Sequence, residues 1–184
     1  MTDRYGATAI SDRIDVAVRP YRPTDHREGR HLWAELAAER ARQYPLAADE
    51  GDGETARGAG FEEYLARIDL AGVWVAEDDD EGVVGLAGLV LRENAGEIWP
   101  IVVSEPYRDS GIGTALVRAV IDVARRRGMR ALGVSPAVRD TAALHCLHRA
   151  GFTALASVEL TLDLGRRRLD WQEGMDVAGL PFRY

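Results

Sequence analysis

The sequence predicts an α/β (α+β) fold: a mixed, mostly antiparallel central sheet with helices on both faces. Three observations carry this reading. Three apolar runs, 73–76, 83–91 and 98–103, follow one another with only turn residues between them, which is the spacing of antiparallel strands. Ile112, Ala115, Leu116, Ala119, Val120, Val123 and Ala124 recur at i, i+3, i+4, i+7, i+8, i+11 and i+12, an apolar stripe suited to packing a helix on a sheet. The whole order reads β, α, α, three strands, α, β, α, β, and such alternation builds layers of helix on sheet.

Taken in order, Val16 to Arg19 is a short strand stopped by Pro20 and Pro23, and Asp25 is placed to cap a helix from His26 to Tyr44. Leu32 and Leu36, with Trp33 and Ala37 beside them, mark that helix's inner side, and Pro45 stops it. Residues 46–60 are glycine-rich and acidic without a period, so they are expected to form a loop. Phe61, Leu65, Ile68 and Leu70 give a short second helix. The strand pair 73–76 and 83–91 is joined by a solvated turn, Glu77 to Gly82, and Asn94-Ala95-Gly96 turns the chain into the central strand. Gly85 and Gly88 inside the second strand mark bulges or close packing. After the striped helix, Arg125-Arg126-Arg127 complement its dipole as a solvated face, or else contact a cofactor's outer phosphate, and Gly128 ends it. Ala131 to Val134 is the next strand, and Asp140 caps a helix through Ala150 with Ala143, Leu144 and Leu147 inward and Gly151 beyond its end. Phe152 to Leu164 alternates, with Val158, Leu160, Leu162 and Leu164 on one face, and is expected to be a long strand.

A chain of 184 residues with 46% hydrophobic and 29% charged residues is of one-domain size and globular composition. The expected organisation is a flexible N-terminal arm at 1–13, a domain at 14–164, and a tail at 165–184. That tail holds Trp171, Met175, Leu180 and Phe182, which pack either on the domain or on a second copy, so a homodimer stays open. No apolar run approaches the roughly 20 residues that span a bilayer, and the first residues lack the apolar core of a secretory signal. The net charge of −7 argues against nucleic acid as a partner. The single cysteine, Cys146, excludes an internal disulfide and a cysteine zinc site and suits a reducing cytoplasm.

The stretch from Glu97 to Thr114 carries the chemistry. An apolar strand runs into a turn, Arg108-Asp109-Ser110-Gly111-Ile112-Gly113, and a helix opens at once. Glycine admits backbone angles that a Cβ forbids and lets a ligand come close. The first turn of a helix offers N–H groups without intrahelical partners and a partial positive charge. Together these make a cradle for a phosphate or diphosphate; the competing reading is an ordinary βα turn.

With these residues in place the chain resembles the GNAT superfamily of N-acyltransferases. The resemblance rests on Arg108-x-x-Gly111-x-Gly113 between a strand and a helix, on Arg19-Pro20 and Asp25 before the first helix, and on Ala150-Gly151-Phe152 at the end of the late helix. It spans about residues 14–164. It implies an acyl-CoA N-acyltransferase fold and acetyl-CoA as co-substrate, with no metal. The diphosphate would lie over the N–H groups of Asp109, Ser110, Gly111, Ile112, Gly113 and Thr114, with Arg108 in the same motif. The pantetheine arm would add to the strand edge at Ile101, Val102 and Val103, as peptides add to sheet edges, and Val103 N–H would face the thioester oxygen. Pro100 either forces that strand from its neighbour or marks an edge bulge.

The resemblance implies a primary amine of a small molecule or peptide as acceptor, attacking directly in a ternary complex. Glu97, eleven residues before Arg108, matches the general base of the histone-type members. The ribosomal-protein type has its base at a position that is Ser135 here, and Glu105 is a weaker candidate. Two positions depart from the pattern. Many members carry a proton-donating tyrosine where this chain has Leu147, and an asparagine at the cofactor-side position occupied here by Asp140. His145, Cys146 and His148 flank Leu147, but successive helical residues point about 100° apart, so none replaces it. A module that binds CoA without turnover is the alternative function. Glu35, Glu39, Asp49, Glu50 and Asp52 hint at a cationic acceptor, or simply solvate a loop.

Overall fold

The computed structural model describes residues 16–43, 54–92, 95–162, 164 and 171–184. The expected arm at 1–13, residues 46–53 of the acidic loop, Asn94 and Arg166 to Arg168 lie outside the described residues. The elements are β1 (Val16–Pro20), α1 (His26–Gln43), α2 (Glu54–Arg67), β2 (Val73–Asp78), β3 (Gly82–Arg92), β4 (Ala95–Val103), α3 (Ile112–Arg126), β5 (Ala131–Gly133), α4 (Thr141–Ala150), β6 (Glu173–Val177) and β7 (Leu180–Arg183). Strands β1 to β5 form one sheet in sequence order. Its first three pairings are antiparallel and β4–β5 is parallel, which is the mixed, mostly antiparallel sheet expected.

Each face of the sheet has its own core. Helices α3 and α4 cover one with Ile112, Leu116, Val117, Val120, Val123, Ala124 and Leu147. Helices α1 and α2 cover the other with Leu32, Phe61 and Tyr64 against Val73, Val75 and Leu86. Gly29 permits the α1–α2 approach, since a Cβ there would stand 2.5 Å from the Phe61 ring. At the sheet's far edge Arg19 donates to both oxygens of Asp25 (2.7 and 2.9 Å) and both of Glu77 (2.6 and 2.7 Å). Burial opposes ionisation of Asp25, yet hydrogen bonds from Arg19 and from Arg22 N–H outweigh it and hold its pKa below the ordinary carboxylate value.

The centre of β4 is bulged. Ala87 pairs with Ile101 and Leu89 with Ile98, so three steps on β4 oppose two on β3. Trp99–Pro100, inside this bulge, is a cis peptide bond. The extra residue flips the strand's faces. Ile98 packs with the α3 cluster, whereas Val102, four residues on, packs with the α1–α2 cluster. Gly88 sits opposite; a Cβ there would fall 1.8 Å from the Tyr64 hydroxyl and 2.8 Å from the Trp99 carbonyl oxygen.

Four expectations are corrected. Helix α2 begins at Glu54, inside the stretch read as loop; its glycines hide the period, and packing of Phe61 and Tyr64 overrides their poor propensity. Asp25 does not cap α1 directly but closes a 3-10 turn, Pro23–Asp25, accepting from Arg22 N–H at 2.7 Å. Leu144 is exposed rather than inward. The alternating stretch from Phe152 is not a strand: residues 152–162 take no regular structure, and Leu155, Val158, Leu160, Leu162 and Leu164 are exposed. Alternation gives a segment two faces, but a strand also needs a ladder partner, and among the described residues this segment pairs with none. The tail instead folds as the β6–β7 hairpin, turned by Ala178 and Gly179 at φ 54° and 79°, the signs of a type I′ turn.

Candidate functional site

The parallel pairing of β4 with β5 ends early. It joins Ala95, Gly96 and Glu97 to Ala131, Leu132 and Gly133, and no pairing with β5 follows. From Ile98 onward β4 therefore keeps one edge without a strand neighbour among the described residues, while β3 holds the other. Ser104 N–H donates to Val84 O of β3 at 2.9 Å. Peptide groups alternate sides along a strand, so Val102 also faces β3, and Val103 and Ile101 turn their N–H and C=O groups to the open edge. Of the three expected strand contacts, the edge thus offers Ile101 and Val103, while Val102 spends its groups on the ladder. The carbonyl of Val103 accepts from Arg108 Nε at 3.1 Å, which leaves its N–H directed into the crevice.

The turn beyond β4 is a cradle of amides. Asp109 and Gly111 have φ of 61° and 92°, with Ser110 between them not positive, and such alternation makes successive N–H groups converge. Among the described residues, the N–H groups of residues 109–114 have no acceptor. Gly111 is the N-cap of α3, so the helix's own unpaired donors extend the same run. Ser110 Oγ is committed to Tyr107 O at 2.5 Å. These residues fit a diphosphate by the chemistry of their donors, and the crevice edge fits an amide-bearing arm.

Arg108 does not point into the cradle. Besides Val103 O, it approaches Glu39 of α1 at 3.6 Å. Glu39 also accepts from Arg42, which chiefly lowers its pKa, and from Gln43 Nε2 at 3.0 Å. One turn earlier on α1, Glu35 accepts from Ser104 Oγ at 2.9 Å and from Glu105 N–H at 3.3 Å, with His31 Nε2 at 3.5 Å. Two carboxylates at i and i+4 thus tie α1 to the end of β4 and the start of the cradle. In the sequence Glu35 and Glu39 are legible only as acidic residues, because partners about 70 positions away leave no local signal.

Glu97 is the last β4 residue paired with β5, at the closed apex of the crevice. Its carboxylate accepts from Arg92 Nη2 at 2.9 Å and Nε at 3.2 Å and is 30% exposed. At about 3.3 Å per residue, Val103 lies on the order of 20 Å away along the strand and Ile101 on the order of 13 Å, less the shortening of the bulge. A base at Glu97 is therefore compatible with a thioester oxygen at Ile101 N–H and not with one at Val103 N–H. Glu105 donates its N–H to Glu35 and stands outside the crevice apex.

On the α1–α2 face, Trp33, Tyr64 and Trp99 pack ring to ring at 4.9 to 5.4 Å. The Tyr64 hydroxyl is buried there without a hydrogen-bond partner among the described residues, and burial raises its pKa. On the opposite face Leu147 is 4% exposed and belongs to the α3 core. Its neighbour Cys146 meets Thr114 Oγ1 at 3.3 Å, beside the cradle rather than at the open strand edge. Asp140 uses its carboxylate to cap α4, accepting from Ala143 N–H at 2.8 Å.

The fold, and part of the sequence, are shared with known proteins. The model of the acetyltransferase (GNAT) family matches residues 33–152, from α1 to the end of α4. A probable N-acetyltransferase camello of Xenopus tropicalis is 39% identical over 82 residues, 43% of this chain and 37% of the relative. The match therefore spans well under half of that relative's length. Among solved structures, an acetyltransferase of the GNAT family from Staphylococcus aureus Mu50 superposes with a TM-score of 0.60 at 17% identity, covering 83% of this chain and 93% of that one. An aminoglycoside N-acetyltransferase in complex with CoA gives 0.56 at 18% identity, covering 82% and 95%. With more than half of its length matched by the family model, the chain belongs to the acetyltransferase (GNAT) family.

Proposed function

We propose that the protein transfers the acetyl group of acetyl-CoA to a primary amine of a small molecule or peptide, by direct attack in a ternary complex. The observation that carries this reading is the run of unpartnered amides at 109–114 lying next to the open edge of β4. When bound, acetyl-CoA supplies an activated acyl group as a thioester. The amides of Asp109 to Thr114 would hold its diphosphate, and the outward peptide groups of Ile101 and Val103 would hold its arm. The N–H of Ile101 would stabilise negative charge on the carbonyl oxygen. Glu97, reaching through water, would take the proton that the attacking amine must lose. The N-acetyltransferases to which the chain is similar support acyl transfer to an amine and leave the acceptor undefined.

A CoA-binding module without turnover is favoured by one feature: Leu147 is a core residue and cannot donate a proton. A thiolate whose conjugate acid has a pKa near 8.5 can leave with a proton from water, so this feature does not close the catalytic route. Thiol release from acetyl-CoA with a panel of amines separates the two. Turnover on an amine, reduced by about 100-fold or more in Glu97→Gln with CoA affinity unchanged, supports the enzyme. Tight CoA binding with no release on any amine refutes it.

A further inference from the structure

The outer faces of α3 and α4 enclose a shallow groove of about 300 Å³ lined by Arg118, Ile121, Asp122, Arg125, Arg149 and Ala150. Three guanidinium groups share it. The segregation extends beyond the groove: residues 108–149 hold eight arginines against three aspartates, with no lysine or glutamate, a net +5 in a chain whose total is −7. Arg125 has a partner in Asp122 at 3.6 Å. Among the described residues, Arg118 and Arg149 have no ion pair or side-chain hydrogen bond. Guanidinium forks match phosphate oxygens, and two left unpaired around one groove mark a place for an anion.

The groove continues the seam that starts at the cradle. Thr114 and Arg118 lie at i and i+4 on one face of α3. Along that seam α4 keeps pace: Cys146 meets Thr114, and Arg149, three residues on, lines the same groove as Arg118. Arg118 stands about 8 Å along the helix from Gly113. Coenzyme A carries a 3′-phosphate monoester on the ribose that follows its diphosphate, within that reach. We propose that the α3–α4 groove is a phosphate-monoester site in which Arg118 and Arg149 hold the 3′-phosphate of coenzyme A; this rests on the acetyl-CoA reading above.

Titration calorimetry with CoA and dephospho-CoA tests it, on the wild type and on Arg118→Ala/Arg149→Ala, with inorganic phosphate as a separate arm. Both arginines are exposed, so the double variant should keep the wild-type melting temperature. Two partly solvated charge-assisted contacts are expected to make the wild type favour CoA over dephospho-CoA by about tenfold at low salt. That preference should vanish in the double variant, with dephospho-CoA affinity unchanged, and shrink in 0.5 M salt. Stabilisation of the wild type but not the variant by inorganic phosphate alone, with no preference for CoA, would keep the anion site and assign it to free phosphate. Equal affinity for both coenzymes with no phosphate effect, or a preference that survives both substitutions, overturns the proposal. Phosphate stabilisation in a protein that binds neither coenzyme would instead sink the acetyl-CoA reading and leave the groove standing.

Discussion

Replacing Gly111 by alanine should weaken coenzyme A by about 5- to 30-fold, while the same change at Gly113 should cost little. Gly111 has φ 92° and ψ −5°, and an added Cβ would meet nothing within 4 Å. The penalty is therefore backbone strain alone, about 1–2 kcal/mol for a residue with a side chain. A free alanine variant can shed that strain by rotating to negative φ, which turns the 111–112 amides out of the cradle. Ligand binding must then restore the strained turn, so the same 1–2 kcal/mol appears as lost affinity, which gives the stated range. Gly113 does not have positive φ, and its Cβ would lie 3.5 Å from Cys146 Sγ and 3.8 Å from Val103 Cγ2, ordinary contact distances. Alanine there also gains up to about 1 kcal/mol of helix propensity. Calorimetric CoA titration, with thermal melting of each variant as the folding control, reads both effects. Unchanged affinity in Gly111→Ala together with a large loss in Gly113→Ala would show that φ at 111 does not organise the cradle.

Tyr64→Phe should raise stability by about 1 kcal/mol in denaturant melts, since the buried hydroxyl has no partner to lose. Gly88→Ala should lower it by about 1–3 kcal/mol through overpacking against that hydroxyl; strict additivity of the two changes would contradict the contact. Asp25→Asn, which leaves Arg19 half-paired in a 6% exposed site, should cost about 3 kcal/mol. Because the folded Asp25 pKa is depressed, its contribution is full above the unfolded value near 3.9 and fades as pH falls through the lower folded value. The gap between melts of the wild type and Asp25→Asn should therefore begin to narrow below about pH 4 and close only below the depressed folded value, and a constant gap down to pH 2 would count against the pairing. Glu35→Ala should destabilise the protein by about 0.5–1.5 kcal/mol, because it removes the acceptor of the partly buried Ser104 hydroxyl while water replaces it at the exposed Glu105 N–H. Glu35→Gln should recover part of that loss, because its amide oxygen still accepts; equal losses would argue that the contact is one of volume only.

The sequence alone determined the local parts of this protein. The stripe from Ile112 to Ala124 named α3, the glycines after Arg108 named the cradle, and the turn clusters separated β2, β3 and β4. Each of these depends on neighbours within a few positions, so the pattern and the cause lie in the same stretch of chain. Only the tertiary structure decided the rest. The stop of the β4–β5 ladder at Glu97 and the bulge that flips Val102 depend on what each strand finds beside it. The ties from Glu35 to Ser104 and from Arg108 to Glu39 join positions about 70 apart. The alternating segment after Phe152 has a strand's pattern and no ladder, because alternation records two faces and says nothing of whether an edge is there to receive them.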